Sequence, residues 1–294
     1  MELISQALEI IPNNAAAHSN LGLVLQELKR FDEAIASYDR SLALKPNNAE
    51  AHYNRGNALL ALTRFDEAIL DYERALAIKP DYAQAFSNLG NVLFAIKRYE
   101  QALASYESAL TIKPDFAEAL AGRGAVLNCL KRFTEALISY EHALAIKPDL
   151  EFILGTCLYT KMIGCEWHDF NHDIDELTNA IERGEKVSIP FTIQAVSSSA
   201  ALQKKVAEIY TQAKHPSHFL LPPLVKHPHS KIKIGYFSSD FYYHAVAYQT
   251  AELFERHDRS RFEIIAFSFH AARDKDDMRL RLEAVFDQFI DVSG

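Results

Sequence analysis

Ala75-Leu76-Ala77-Ile78-Lys79-Pro80 returns 34 residues later as Ala109-Leu110-Thr111-Ile112-Lys113-Pro114, and again as Ala143-Leu144-Ala145-Ile146-Lys147-Pro148. Upstream, Pro12 and Pro46 close related stretches at the same interval. Other positions repeat with them: Gly22, Gly56, Gly90 and Gly124; Ala34, Ala68, Ala102 and Ala136; Tyr38, Tyr72, Tyr106 and Tyr140. A 34-residue period is that of a helix-turn-helix unit. Glycine stands where the first helix must let the second approach, alanine faces it from the second helix, and tyrosine four residues on plugs the gap between units. One hairpin cannot bury its apolar stripe alone, so the units must stack into a right-handed superhelix with a concave face. Four full units, 15–48, 49–82, 83–116 and 117–150, follow the second helix of an incomplete one at 1–14.

Gly, Ala, Tyr and Pro in register four times over resemble the tetratricopeptide (TPR) repeat. The resemblance implies an array that holds another polypeptide. The sixth position of each first helix reads Asn20, Asn54, Asn88 and then Gly122. Such an asparagine ladder offers paired donors and acceptors to an extended peptide backbone, which suits sequence-tolerant capture of protein or peptide partners. Asparagine also occupies this position in TPR units of unrelated function, so a purely structural role stays open. The fifth position reads Ser19, Tyr53, Ser87 and Ala121, without the cations that co-chaperone TPR domains use to clamp a C-terminal carboxylate.

The bulk properties narrow the partners. A net charge of −8 is spread evenly, with 15 basic against 19 acidic residues in 1–150 and 16 against 20 in 151–294, so neither half is basic enough to suggest nucleic acid. No uncharged apolar run approaches the roughly 18 residues of a membrane span, and no cationic stretch precedes an apolar one at the N-terminus. A cytoplasmic location is the default expectation. The cysteines, Cys129, Cys157 and Cys165, are too few and irregular for a disulfide framework or a zinc site, and read as small buried hydrophobes.

After Pro148 the period fails, although Glu151 to Lys161 reads as helix. Amphipathic stretches at Ile174 to Ile181 and Ala200 to Ala213 follow, punctuated by Pro190 and by Pro222-Pro223, in what reads as a helical linker over 151–230. His215, His218, His227 and His229 lie close together in sequence, but the prolines among them force extended backbone and no carboxylate or cysteine stands at ligand spacing. No metal is expected there.

From Lys231 the pattern changes. Residues 231–239 read as a strand, Ala245 to His257 as helix, 262–269 as a second strand, Asp277 to Gln288 as helix, and 289–292 as a third strand. That order, βαβαβ, opens a parallel Rossmann-like sheet, whose ligands gather at the carboxyl ends of the strands. The fold class is therefore mainly α: a TPR superhelix, a linker, and the beginning of an α/β domain at 231–294.

The stretch Ile234-Gly235-Tyr236-Phe237-Ser238-Ser239-Asp240-Phe241-Tyr242-Tyr243-His244 resembles the start of the catalytic region of TPR-linked O-GlcNAc transferases and the SPINDLY family. Glu252 to Glu263, Phe289-Ile290-Asp291-Val292 and Cys165 to Trp167 resemble the bacterial members as well. The resemblance implies an inverting, metal-free glycosyltransferase of the two-Rossmann (GT-B) type, in which a protein Ser or Thr hydroxyl attacks the anomeric carbon of a nucleotide sugar. By that resemblance His244 is the active-site histidine, positioning the acceptor or handling its proton. Ser238-Ser239-Asp240 is then no nucleophile, since inversion needs none, and Ser239 or Asp240 reads as a loop or helix-capping residue. The sequence departs from the animal enzymes in continuing Ala245-Val246-Ala247-Tyr248 after His244, without the Pro and second His found there. No cofactor is implied. The donor, UDP-GlcNAc or GDP-fucose, is bound in this family by a second domain that these 294 residues do not include, so the expectation is a fragment inactive alone. The alternative reading is a non-catalytic TPR scaffold. Oligomerisation through the TPR array is compatible with both.

Overall fold

The computed structural model describes residues 10–214, 231–269 and 276–292. Contacts divide the chain into two compact units, Met1–His218 and Phe219–Gly294.

From Ala15 the first unit runs through eight helices in four antiparallel pairs: α1 (Ala15–Glu27) with α2 (Phe31–Leu44), α3 (Ala49–Ala61) with α4 (Phe65–Ile78), α5 (Ala83–Ala95) with α6 (Tyr99–Ile112), and α7 (Ala117–Cys129) with α8 (Phe133–Ile146). Each pair packs on the next. Ala34, Ala68, Ala102 and Ala136 are fully buried, and so, within 1%, are Tyr38, Tyr72, Tyr106 and Tyr140. The glycines clear space for these rings rather than for helix backbone. A Cβ at Gly22 would lie 2.6 Å from the Tyr38 ring, and one at Gly90 2.9 Å from that of Tyr106. At Gly122, where the asparagine series stops, a Cβ would also run into the Tyr106 ring.

Every pair turns through a residue with positive φ: Lys29, Thr63, Lys97 and Lys131, at 57–62°. The next amide reaches back to the first helix, as Arg64 N does to Leu59 O at 2.9 Å, the bonding of a Schellman turn. Asn14 and Asn48 cap α1 and α3 by accepting from Ala17 N and Ala51 N. Of the incomplete repeat expected at 1–14, residues 1–9 lie outside the described residues.

The linker helices form a second core. Helix α9 (Ile153–Ile163) packs on α8, and α10 (Phe170–Glu182), α11 (Pro190–Val196) and α12 (Ala200–Lys214) close around Leu158, Leu177, Ile181, Val187, Ile193, Leu202 and Val206. Complete burial of a side chain such as Ile193 contributes roughly 1.5–3 kcal/mol, so the array ends against a packed module, not a frayed helix. Gly155 lets the chain cross α9: Gly155 N donates to Val187 O at 2.8 Å, and a Cβ there would sit 2.9 Å from Ser188 Cα. Helix α11 was not among the expected elements. Pro190 opens it at the first helical turn, where a missing N–H is harmless, instead of interrupting the chain.

The second unit is a three-stranded parallel sheet in the order β1 (Ile232–Ser238), β2 (Phe262–Ser268), β3 (Gln288–Asp291). Pairing runs from Ile232 opposite Phe262 to Ser238 opposite Ser268, and from Ile265 opposite Gln288 to Ser268 opposite Asp291. Helices α13 (Ala245–Glu255) and α14 (Asp277–Val285) make the crossovers. Ile264 and Ala266 are fully buried in a core with Ala247, Ala251, Phe254, Met278, Leu282 and Phe286. Alternation along β2 then turns Ile265 and Phe267 to the opposite face. There Phe237 stacks on Phe267 with ring centroids 4.5 Å apart and stays two-thirds exposed.

Candidate functional site

The three asparagines occupy different environments. Asn20 is exposed, Asn54 is buried and Asn88 is half-buried. Asn88 Nδ2 donates to Asn57 Oδ1 at 2.8 Å and to Tyr53 Oη at 3.1 Å, both in the preceding repeat, and its Oδ1 accepts from Asn91 Nδ2 at 3.3 Å. Tyr72 Oη also donates to Asn57 Oδ1, at 2.8 Å, and Tyr106 Oη to Asn91 Oδ1, at 2.6 Å. Asn88 is thus a strut between repeats, with both amide hydrogens engaged, and Asn20 is the rung most open to solvent. Asn57 and Asn91, 34 residues apart, carry the buried tyrosines. Their shared 34-residue register is the signal that marks them in the sequence, beside the more conspicuous series at the sixth position. Beside them the Tyr53 and Tyr82 rings lie 4.8 Å apart, with Lys79 Nζ 4.6 Å above Tyr82.

One further polar cluster belongs to the second repeat. Asp71, 1% exposed, accepts from Arg55 Nε at 2.6 Å and lies 3.0 Å from His52 Nδ1. Arg55 also pairs with Asp39. Burial alone would raise the Asp71 pKa, but Arg55 and His52 outweigh it and hold the carboxyl below its usual range.

In the second unit the segment joining β1 to α13 lies at the carboxyl end of β1, where the parallel order puts a ligand crevice. Several contacts shape it. Phe241 is buried against Phe254, Phe286 and Phe289. Ser238 Oγ accepts from Asp240 N at 3.0 Å, and Ser239 Oγ donates to Asp240 Oδ1 at 3.0 Å. Neither Ser239 nor Asp240 caps the helix. His244 does, with extended backbone and Nδ1 accepting from Val246 N at 3.3 Å. Asp240 Oδ2 stands 3.8 Å from the same nitrogen. With Nδ1 as acceptor, the neutral ring carries its proton on Nε2. The side chain is 41% exposed.

Two residues missed in the sequence complete this end of the sheet. Asp276 Oδ2 accepts from Tyr243 N at 2.8 Å, while its Oδ1 caps α14 through Arg279 N at 2.7 Å. Burial works against the Asp276 carboxylate, and the amides of Arg279, Tyr243 and Met278 prevail, lowering its pKa. The Arg279 guanidinium, 1% exposed, bonds Ser268 Oγ at 2.9 Å and Asp291 Oδ1 at 2.6 Å, tying the tips of β2 and β3. His215, His218, His227 and His229 lie outside the described residues. Among the described residues no helix is long and apolar enough to cross a membrane.

Comparison with known proteins follows the division into units. Residues 2–49, 19–83, 53–115 and 84–151 each match the tetratricopeptide repeat family. This chain belongs to the TPR family. Residues 192–294 of the TPR protein match glycosyl transferase family 41, a span that includes the whole three-stranded sheet and His244. Among curated proteins, the "Probable UDP-N-acetylglucosamine--peptide N-acetylglucosaminyltransferase SEC" of Arabidopsis thaliana is 28% identical over 154 residues, 47% of this chain and 16% of the relative. The TPR protein thus spans about a sixth of that relative's length. Among solved structures, YrrB, described as a TPR protein with an unusual peptide-binding site, superposes with a TM-score of 0.52 at 20% identity, over 70% of this chain and 97% of its own. A Thermobaculum terrenum O-GlcNAc transferase mutant aligns with 95% of this chain and 41% of its own, at 20% identity and a TM-score of 0.41.

Proposed function

We propose that this chain is the acceptor-binding array and the opening part of the catalytic domain of a protein O-glycosyltransferase, which transfers GlcNAc from UDP-GlcNAc to Ser and Thr hydroxyls. The observation that carries this reading is the position of His244: it caps α13 at the carboxyl end of a parallel strand, within a family 41 span, in a chain that also holds a TPR array. Transfer with inversion forms a bond from the acceptor oxygen to the anomeric carbon as the nucleotide diphosphate departs and the hydroxyl proton is lost. The site must therefore orient the hydroxyl in line and stabilise the leaving diphosphate. In its neutral form, with Nδ1 accepting from Val246 N, His244 carries its proton on Nε2, which suits it to orient an oxygen by donating to it. Taking the acceptor proton at Nε2 would require the other tautomer and the loss of the Val246 bond.

In this reading the array captures unfolded segments of acceptor proteins along its first-helix face, where Asn20, Tyr53, Asn57, Asn88 and Asn91 lie. The nucleotide sugar is held by the second domain of the family's architecture, so the 294 residues bind polypeptide and turn over no donor. Incubating the purified chain with UDP-GlcNAc and a mixture of Ser/Thr-rich peptides checks both halves: peptide binding without transfer is expected. Turnover by the chain alone would overturn the assignment of the donor site, and failure to bind any peptide would overturn the role of the array.

A further inference from the structure

The contacts at the carboxyl ends of the strands point to a residue that acts on His244 from a distance in sequence. Asp276 lies 32 residues after His244, yet its carboxylate accepts the backbone N–H of Tyr243, the residue immediately before the histidine. Its second oxygen caps α14 through Arg279 N at 2.7 Å. The Arg279 side chain in turn joins the β2 and β3 tips through Ser268 and Asp291, and Glu283 at 2.9 Å. The segment before α13 also makes contacts of short sequence range, Asp240 N to Ser238 Oγ and Tyr242 N to Asp240 O at 2.9 Å, and places the Phe241 ring in the core. Between Phe241 and the helix cap, the Asp276 bond connects the backbone to the start of α14.

We infer that Asp276 is the positioning residue for His244: one carboxylate, serving two backbone amides, sets the place of the β1–α13 segment relative to α14 and so the direction of the His244 ring. A bond from a backbone amide to a charged acceptor is among the stronger ones available to a half-exposed loop. The geometry also explains why this position calls for a carboxylate. A hydroxyl or a single amide oxygen caps a helix equally well, but neither has the second oxygen needed to hold Tyr243 as well. The significance of the inference rests on the transferase reading, whereas the tether itself does not.

The test uses the 294-residue chain with deuteration and ¹⁵N labelling. Asp276→Ser keeps a cap for Arg279 N and removes the acceptor for Tyr243 N; Asp276→Asn, with one oxygen, serves as the second variant. Amide exchange at Tyr243 should become about ten-fold faster or more. The His244 ring nitrogens should move from a pattern with one protonated and one acceptor nitrogen towards averaged tautomers, while Arg279 N stays protected. The ring signature separates positioning from a merely structural cap, because a cap alone leaves the imidazole unchanged. Unaltered His244 ring resonances in both variants would overturn the inference, whether or not Tyr243 exchanges faster. These spectra do not depend on catalysis, so a complete enzyme indifferent to His244→Ala would sink the transferase reading and leave the tether standing.

Discussion

Removing the hydroxyl from Tyr140 should stabilise the protein, while the same change one repeat earlier should weaken it. Tyr72 and Tyr106 donate to Asn57 and Asn91 at 2.8 and 2.6 Å. In the fourth repeat that position is Ala125, and the buried Tyr140 hydroxyl has no hydrogen-bond partner among the described residues. Burial drives the Tyr140 phenol upward in pKa, offset only in part by Asn128, whose amide is directed at Thr160 Oγ1 at 2.8 Å. A satisfied bond of this kind is worth about 1 kcal/mol net, and an unsatisfied buried hydroxyl costs roughly 1–3 kcal/mol. Tyr106→Phe should therefore destabilise by about 1 kcal/mol and Tyr140→Phe stabilise by a similar amount. In thermal unfolding followed by circular dichroism each kcal/mol corresponds to about 2–4 °C in an array of this size. Ala125→Asn should recover a partner for Tyr140 and raise the melting temperature, with that gain abolished in the double variant with Tyr140→Phe. If Tyr140→Phe lowers the melting temperature as far as Tyr106→Phe does, the packing of the fourth repeat described above is wrong.

Gly122→Asn, which would extend the asparagine series by one rung, should destabilise by roughly 1–3 kcal/mol, since its Cβ meets the Tyr106 ring; a neutral urea midpoint would contradict that. Thr63, a β-branched residue at φ 57°, should gain from Thr63→Gly by about 0.5–1 kcal/mol, read as a higher melting temperature. Asp71→Asn should cost about 3 kcal/mol at neutral pH by leaving Arg55 short of its buried partner. The Asp71 pKa is depressed in the folded state, so its contribution is complete above the unfolded value of about 3.9 and is lost as pH falls through the lower folded value. The gap in stability between wild type and Asp71→Asn should narrow below about pH 4, and a gap that widens in acid would refute the assignment.

What could be read from the sequence follows the range of the interactions involved. The TPR helices announce themselves because Gly22, Ala34 and Tyr38 recur with a period set by local packing, and each is decided within its own repeat or the next. The strands were found because β1 and β2 are short apolar runs between helical patterns. The roles of individual side chains were harder to foresee. Asn88 looked like a free groove residue, but Tyr53 and Asn57, more than thirty residues away, take up its amide. Asp276 was assignable as a helix start, and nothing local marks its second oxygen as the partner of Tyr243 N. Nothing local marks Arg279 as buried, and the convergence of Ser268, Glu283 and Asp291, with the Phe289 ring 4.1 Å from the guanidinium, makes its burial tolerable.

The measurement that bears most directly on the proposed transferase role is GlcNAc transfer from UDP-GlcNAc to a protein acceptor by this chain joined to a full glycosyl transferase family 41 domain, comparing wild type, His244→Ala and a form lacking residues 15–150. His244→Ala should lower kcat/KM by about 10²-fold or more, and loss of the array should raise KM for the protein acceptor while sparing transfer to a short peptide. Full activity of His244→Ala together with unchanged protein KM in the shortened form would contradict both the catalytic place given to the β1–α13 segment and the function given to the repeats.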